Sequence, residues 1–136
     1  MDAATKTATT KTGVTPVTVI KKIGIIGAGQ MGNGIAHVVA LSGYDVAISD
    51  LKREAYDKAM AIMQKNMTRQ VTKGLIKDAD METALKRVSY APDFAAFGDT
   101  DLVIEAATED EAVKRKIFAA LCPHLKKSAM VASNTS

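Results

Sequence analysis

Apolar and polar positions follow two different periods along this chain, and the switches between them mark out its elements. Lys22-Ile23-Gly24-Ile25-Ile26 is a short apolar run of the kind that forms a strand buried on both faces. Four more such runs follow, at Tyr44 to Ser49, Val88 to Ala91, Asp101 to Ala106 and Ala129 to Ser133. Between them the spacing changes to three and four residues, the period of helices. The first helical segment runs to Ser42 and is stopped by Gly43; it carries Ile35, Val38, Val39 and Leu41, with Gly34, Ala36 and Ala40 beside them. Small residues on its first turns let it lie close to a sheet. A long helix is expected over Arg53 to Lys73, with Ala55, Ala59, Ile62, Met63, Met67 and Val71 on one face and Gly74 as its C′ residue. Asp78 or Asp80 then caps a second helix running to about Lys86. That is more chain than one crossover needs, and an antiparallel helix pair projecting from the sheet accounts for it. A short helix at Phe94 to Phe97 precedes the fourth strand. After it, Thr108 and Glu111 have capping-box spacing for a helix to about Leu121 that buries Val113, Ile117, Phe118 and Leu121. Strands alternating with helices predict an α/β, doubly wound parallel sheet of five strands in the order 3-2-1-4-5, with right-handed crossovers.

The turn after the first strand adds chemistry to that frame. Gly27-Ala28-Gly29-Gln30-Met31-Gly32 is a G-x-G-x-x-G. Alone it is weak, but a strand runs into it, a helix leaves it, and an acid, Asp50, ends the next strand 18 residues past the last glycine. This is a Rossmann-type dinucleotide-binding unit. Gly27 permits the tight turn, Gly29 lets the backbone approach a pyrophosphate, and Gly32 allows close helix–strand packing. The helix N-terminus offers N–H groups and a positive dipole end, so no basic side chain is required. Asp50 is placed to accept both hydroxyls of an adenosine ribose, and its charge would repel a 2′-phosphate. NAD is therefore expected rather than NADP, a preference that Lys52 and Arg53 close behind weaken slightly. The carboxyl ends of strands four and five also overlie the ligand crevice. There Glu109 and Lys114 either orient a nicotinamide ribose or are a first-turn acid and a solvated lysine. Ser133-Asn134-Thr135-Ser136 either meets a polar substrate or simply ends a strand.

Composition narrows the picture by exclusion. The chain has 136 residues, enough for one domain, with 47% apolar and 24% charged residues. A net charge of +3 without a basic stripe gives nucleic-acid binding little support. The single cysteine, Cys122, excludes an internal disulfide and fits a reducing, cytoplasmic compartment. No apolar run approaches the ~20 residues of a membrane span, and no metal site is expected. Met1 to Thr18 holds seven threonines and has no apolar periodicity, so residues 1–20 are expected to be a disordered leader before a domain over 21–136. His37 has no acid or nucleophile near it in sequence and reads as a helical surface residue. Met60, Met63 and Met67 read as packing of the helix pair before a soft ligand face. Lys65, Arg69, Lys73 and Lys77 face either solvent or a phosphorylated ligand.

Taken together, Gly27 to Ala36, Asp50, Leu102-Val103-Ile104-Glu105-Ala106 and Ser133-Asn134-Thr135-Ser136 closely resemble the NAD-binding domain of the 3-hydroxyacyl-CoA dehydrogenases, especially the bacterial 3-hydroxybutyryl-CoA type. The resemblance covers about Lys21 to Ser136, and the helix pair is a family trait. It implies an oxidoreductase of fatty-acid β-oxidation that moves a hydride between a 3-hydroxyacyl-CoA and NAD. By it, Gly27, Ala28, Gly29, Gln30, Met31 and Gly32 hold the pyrophosphate and Asp50 the adenosine ribose. Glu109, Lys114 and Asn134 lie along the nicotinamide, and Ser136 bonds the substrate's 3-oxygen. The helix pair contacts the CoA moiety, with Lys73 as a phosphate partner; Asn66 stands where the family has a serine. The family's general base is a histidine that neither His37 nor His124 matches, and its helical C-terminal domain, which supplies a homodimer interface, is not among these residues. The chain thus reads as a truncated product or fragment, expected to bind NAD without turning substrate over. The competing readings are a non-catalytic dinucleotide-binding module and another NAD-dependent hydroxyacid dehydrogenase.

Overall fold

The computed structural model describes residues 19–133. The five runs form one parallel sheet, β1 (Lys22–Ile26), β2 (Asp45–Ser49), β3 (Val88–Ala91), β4 (Leu102–Glu105) and β5 (Met130–Ser133). Their order is β3-β2-β1-β4-β5, as the alternation predicts. Register is continuous across the centre: Ile25 lies beside Ile48 on one flank and Ile104 on the other. The helices are α1 (Gln30–Leu41), α2 (Arg53–Thr72), α3 (Asp78–Lys86) and α4 (Glu111–Leu121), with 3-10 turns at Phe94–Phe97 and Cys122–His124. Residues 1–18 of the expected leader lie outside the described residues. Ile20, assigned to that leader, packs against the core.

Because side chains alternate across a strand, β1 and β2 supply two cores at once. Ile23, Ile25, Val46 and Ile48 join α1, α2 and α3 on one face, while Ile26, Ala47 and Val103 meet Phe97 and Leu121 on the other. The helix pair does not project freely: Met63, Met67 and Ala84 are fully buried in the first of these cores. The methionines are thus packing residues.

Which face each helix buries departs from the apolar pattern. On α1 the buried residues are Gly32, Asn33, Ala36 and Ala40, whereas Val38 is 62% exposed. Close approach to the sheet selects small side chains on the innermost line, while Ile35, Val39 and Leu41 pack beside it and Val38 turns outward. On α2 the buried line is Tyr56, Ala59, Met63 and Met67, and Ile62 turns out to a groove. On α4 the expected anchor Val113 is exposed; Leu121 is fully buried and Ile117 and Phe118 pack partly.

Helix ends follow hydrogen bonds more than spacing. The C-terminus of α2 closes as expected, with Gly74 at φ +76° and N–H bonds from Gly74 to Val71 and from Leu75 to Gln70. The start of α3 is capped from inside, the Asp80 side chain accepting the Lys77 N–H at 2.9 Å. The Thr108–Glu111 box does not form. Asp110 is the N-cap of α4, accepting the Val113 N–H at 3.1 Å, and Thr108 accepts the Asp110 N–H instead. Asp110 was overlooked because Thr108 offered the spacing of a complete box.

The amino ends of the strands are tied by Asp101. Its buried carboxylate accepts the N–H groups of Lys21 and Lys22 at 2.8 and 3.0 Å and pairs with Lys126. The Lys126 contact and these two N–H bonds hold its pKa well below the usual carboxylate range. A depressed folded-state value stabilises the fold above the ordinary carboxylate value of about 3.9 and loses that contribution as pH falls below it. Asp101→Asn is therefore expected to flatten the loss of stability below about pH 4, as read by urea unfolding across the acid range. An unaltered acid limb would count against this account.

Candidate dinucleotide-binding site

All five strands are parallel, so their carboxyl ends meet at one edge of the sheet. There β1 enters Gly27, whose φ of +105° lies in the left-handed region that glycine adopts without strain. The Gly27 N–H donates to the Ser49 carbonyl at 2.7 Å, fastening the turn to the end of β2. A Cβ on Gly27 would stand 2.8 Å from the Cα of Ala107, and one on Gly32 only 1.9 Å from the Gly27 carbonyl oxygen. These two glycines are required by the protein's own packing.

Gly29 is required by nothing internal, since a Cβ there would meet no atom within 4 Å. It would instead occupy the open space over the start of α1. Gly29 is also the N-cap of α1, without a side-chain cap and without an acid in the first turn. Helix N–H groups at the positive end of a dipole are thereby left to an outside anion. A cradle that a single Cβ would fill, backed by such N–H groups, fits a pyrophosphate.

Asp50 follows β2, half-buried. Its Oδ2 accepts the Ala28 N–H at 2.9 Å and its Oδ1 the Lys52 N–H at 3.3 Å. One carboxylate thus joins the glycine turn to the approach of α2. It lines a cleft of about 700 Å3 whose walls are Asp50 and Leu51, Pro92 to Phe94, Ala106 to Thr108, and Val113 with Ile117. Val113 and the fully exposed Leu51 face this cleft, which explains why neither is in the core.

Glu105 is a residue to which sequence reasoning assigned no role. It sits at the end of β4, fully buried, with Oε2 accepting the N–H groups of Ala107 and Thr108 at 2.7 and 3.0 Å. The Ser133 hydroxyl donates to its Oε1 at 3.2 Å. Glu105 therefore shapes the loop that lies on Gly27 and links it to β5. An acid ending an otherwise apolar strand was the available signal.

Gly27, Ala28, Gly29, Gly32 and Asp50 are brought together, with Gln30 and Met31 exposed on the first turn of α1. Glu109 is exposed and precedes the N-cap of α4, so it is not a first-turn acid. Lys114 is only 4% exposed, which removes the solvated-lysine alternative. Lys73 is exposed at the far end of α2. Asn134 and Ser136 lie outside the described residues. His37 is bonded through Nε2 to the Gln70 side chain at 2.7 Å, and Cys122 is an exposed free thiol. No described helix is long and apolar enough to cross a membrane.

Comparison with known proteins places this geometry. Residues 22–136 match the family described as 3-hydroxyacyl-CoA dehydrogenase, NAD binding domain. A 3-hydroxybutyryl-CoA dehydrogenase of Bradyrhizobium diazoefficiens is 51% identical over 118 residues, covering 87% of this chain and 40% of that protein. A probable 3-hydroxybutyryl-CoA dehydrogenase of Deinococcus radiodurans is 43% identical over 115 residues, covering 85% and 41%. In three dimensions the chain is similar to the (S)-3-hydroxybutyryl-CoA dehydrogenase PaaH1 of Ralstonia eutropha, with a TM-score of 0.84, 36% identity and coverage of 87% and 42%. The chain thus spans about two fifths of the length of these relatives. With a five-stranded doubly wound sheet, a pyrophosphate cradle and an acid at the end of β2, the chain belongs to the 3-hydroxyacyl-CoA dehydrogenase family, as its NAD-binding domain.

Proposed function

We propose that this chain is the cofactor-holding part of an enzyme that interconverts 3-hydroxybutyryl-CoA, or a close 3-hydroxyacyl-CoA, and the 3-oxo thioester. The observation that carries the reading is the empty space over Gly29 beside the uncapped start of α1, with Asp50 lining the adjoining cleft. NAD, when bound, takes the hydride from C3 of the hydroxyacyl group. The α1 N–H groups hold the pyrophosphate, and Asp50 accepts from the adenosine ribose hydroxyls. Leu51 on one wall, with Val113 and Ile117 on the other, exclude water from the adenine. Glu109, Lys114 and Asn134 orient the nicotinamide side, and Ser136 bonds the 3-oxygen of the substrate.

Substrate contact is assigned to the α1–α2 side. A groove of about 820 Å3 there is lined by Asn33, His37, Lys58, Ile62 and Asn66. Asn66 and Lys73 are two helical turns apart and share a face of α2. Both suit the polar and phosphate groups of CoA. The family resemblance implies a histidine general base at a position that neither His37, bonded to Gln70, nor His124, in a 3-10 turn, matches. We assign the full-length protein to the cytoplasm as a homodimer.

Asp50→Ala should weaken NAD binding to the 136-residue chain by about 1–3 kcal/mol, the cost of leaving hydrogen-bonding groups unpaired. Calorimetric titration with NAD measures this, and unchanged affinity would remove Asp50 as the ribose partner. The same chain should form no NADH from 3-hydroxybutyryl-CoA. NADH formation would place the proton acceptor within these residues.

A further inference from the structure

The NAD-binding cleft carries two carboxylates on its adenosine side, Asp50 and Asp93, and no lysine or arginine among the described residues that line it. Yet Arg53 is only three residues past Asp50. An arginine in that region is the usual partner of a 2′-phosphate, so something must keep it from serving as one.

The structure contains such a device. Side chains on a helix ordinarily lean toward its N-terminus, which here is the ligand edge. Arg53 is instead engaged on α2 itself, its Nε donating to Asp57 Oδ1 at 3.2 Å, one turn along. Its guanidinium lies over the ring of Tyr90, 4.9 Å from the centroid, and 5.4 Å from that of Tyr56. The two rings pack against each other at 5.2 Å, and Tyr56 is buried, so they form a fixed shelf. The Tyr90 hydroxyl donates to the Asp50 carbonyl at 3.4 Å, which ties that shelf to the residue that meets the ribose. Lys52 is exposed and offers a point charge, without the planar fork that grips a phosphate.

We propose that discrimination against a 2′-phosphorylated dinucleotide depends on this lock. Asp57, with Tyr56 and Tyr90, is a positioning residue that withholds Arg53 from the cleft. Asp50 repels the 2′-phosphate, and the lock denies it a guanidinium; Lys58, which shares the groove beside α1 with Asp50, offers only a point charge. The inference rests on the NAD reading of the site.

The test is titration of the 136-residue chain with NAD and NADP at fixed ionic strength. Asp57→Ala should raise NADP affinity about two- to threefold, the effect of releasing one exposed ion pair, and leave NAD affinity unchanged. Adding Arg53→Ala should abolish the gain, and Asp57→Glu, which can still hold Arg53, should not produce it. Glu54→Ala makes the same change in net charge on the first turn of α2 and should leave NADP affinity where it was. An unchanged NADP affinity in Asp57→Ala, a gain that survives Arg53→Ala, or an equal gain in Glu54→Ala would each overturn the lock while leaving NAD binding intact. Failure of the unsubstituted chain to bind NAD would instead overturn the cofactor reading and the lock with it.

Discussion

Gly32→Ala should both destabilise this protein and abolish its hold on a dinucleotide. A methyl group at this position would lie 1.9 Å from the Gly27 carbonyl oxygen, 3.0 Å from its carbon and 3.3 Å from Ile25 Cγ2. The first two are backbone atoms of a turn whose N–H is already bonded to Ser49 at 2.7 Å, so they cannot swing aside as a flexible side chain would. Relief requires α1 to move away from β1. The movement would loosen Ala36 and Ala40, which are fully buried on the inner face of that helix. Overpacking that forces backbone to shift costs about 1–3 kcal/mol, and the 1.9 Å approach puts this case at the upper end. The same movement misplaces the α1 N–H groups, and loss of two charge-assisted bonds corresponds to at least about 100-fold in affinity. Urea unfolding and NAD titration read the two effects separately. Gly34→Ala is the internal control. It lies two residues along α1, where a Cβ meets nothing within 4 Å, and should stabilise the helix by about 0.5–1 kcal/mol. Equal behaviour of the two variants would mean that the close approach at Gly32 does not govern the turn.

Glu105→Ala is expected to have the next largest effect. The substitution strands the N–H groups of Ala107 and Thr108 and leaves the Ser133 hydroxyl without its acceptor, all around a fully buried site. Unpaired buried donors cost about 1–3 kcal/mol each, so a loss of about 3 kcal/mol or more is expected. NAD affinity should fall as well, because the released loop is the one lying 2.8 Å from a Cβ position on Gly27. Glu105→Gln separates the causes. Its amide oxygen can still accept both N–H groups, and its NH2 can donate to the serine hydroxyl, so it should stay within about 1 kcal/mol of the parent. If Gln proves as damaging as Ala, the hydrogen-bond account of this loop is wrong.

Much of the site could be read directly because its requirements are local. A turn that needs φ near +105° selects glycine at position 27 whatever lies around it, and an acid at a strand end is visible by position alone. Glu105 is visible in the same way, as the acid that ends β4, but its role is not. Its partners are backbone N–H groups of the next loop and a serine on β5, and nothing in the residue string announces backbone donors. Lys114 shows the same limit: its burial follows from how α4 sits, which no spacing rule predicts.

The helix faces divide along the same line. Periodicity places α1, α2 and α4 correctly within a residue or two, since helix formation depends on neighbours three and four positions away. It misjudges Val38 and Val113 because burial depends on what stands opposite. The sheet approaches α1 so closely that alanine fits the innermost line and valine does not. The outer side of α4 forms the wall of a cleft, where an apolar side chain is wanted but not covered.

By itself, then, the amino-acid sequence determined the parallel sheet, its strand order, the glycine turn, Asp50 and the family. Each of these is written in local periods or in residues adjacent along the chain. Only the tertiary structure decided that Gly29 faces open space while Gly32 does not, that Glu105 supports the turn from a neighbouring strand, and that Arg53 lies over the ring of Tyr90. Those outcomes depend on atoms from separate elements meeting at van der Waals and hydrogen-bond distance, and such distances come into being only when the chain has packed.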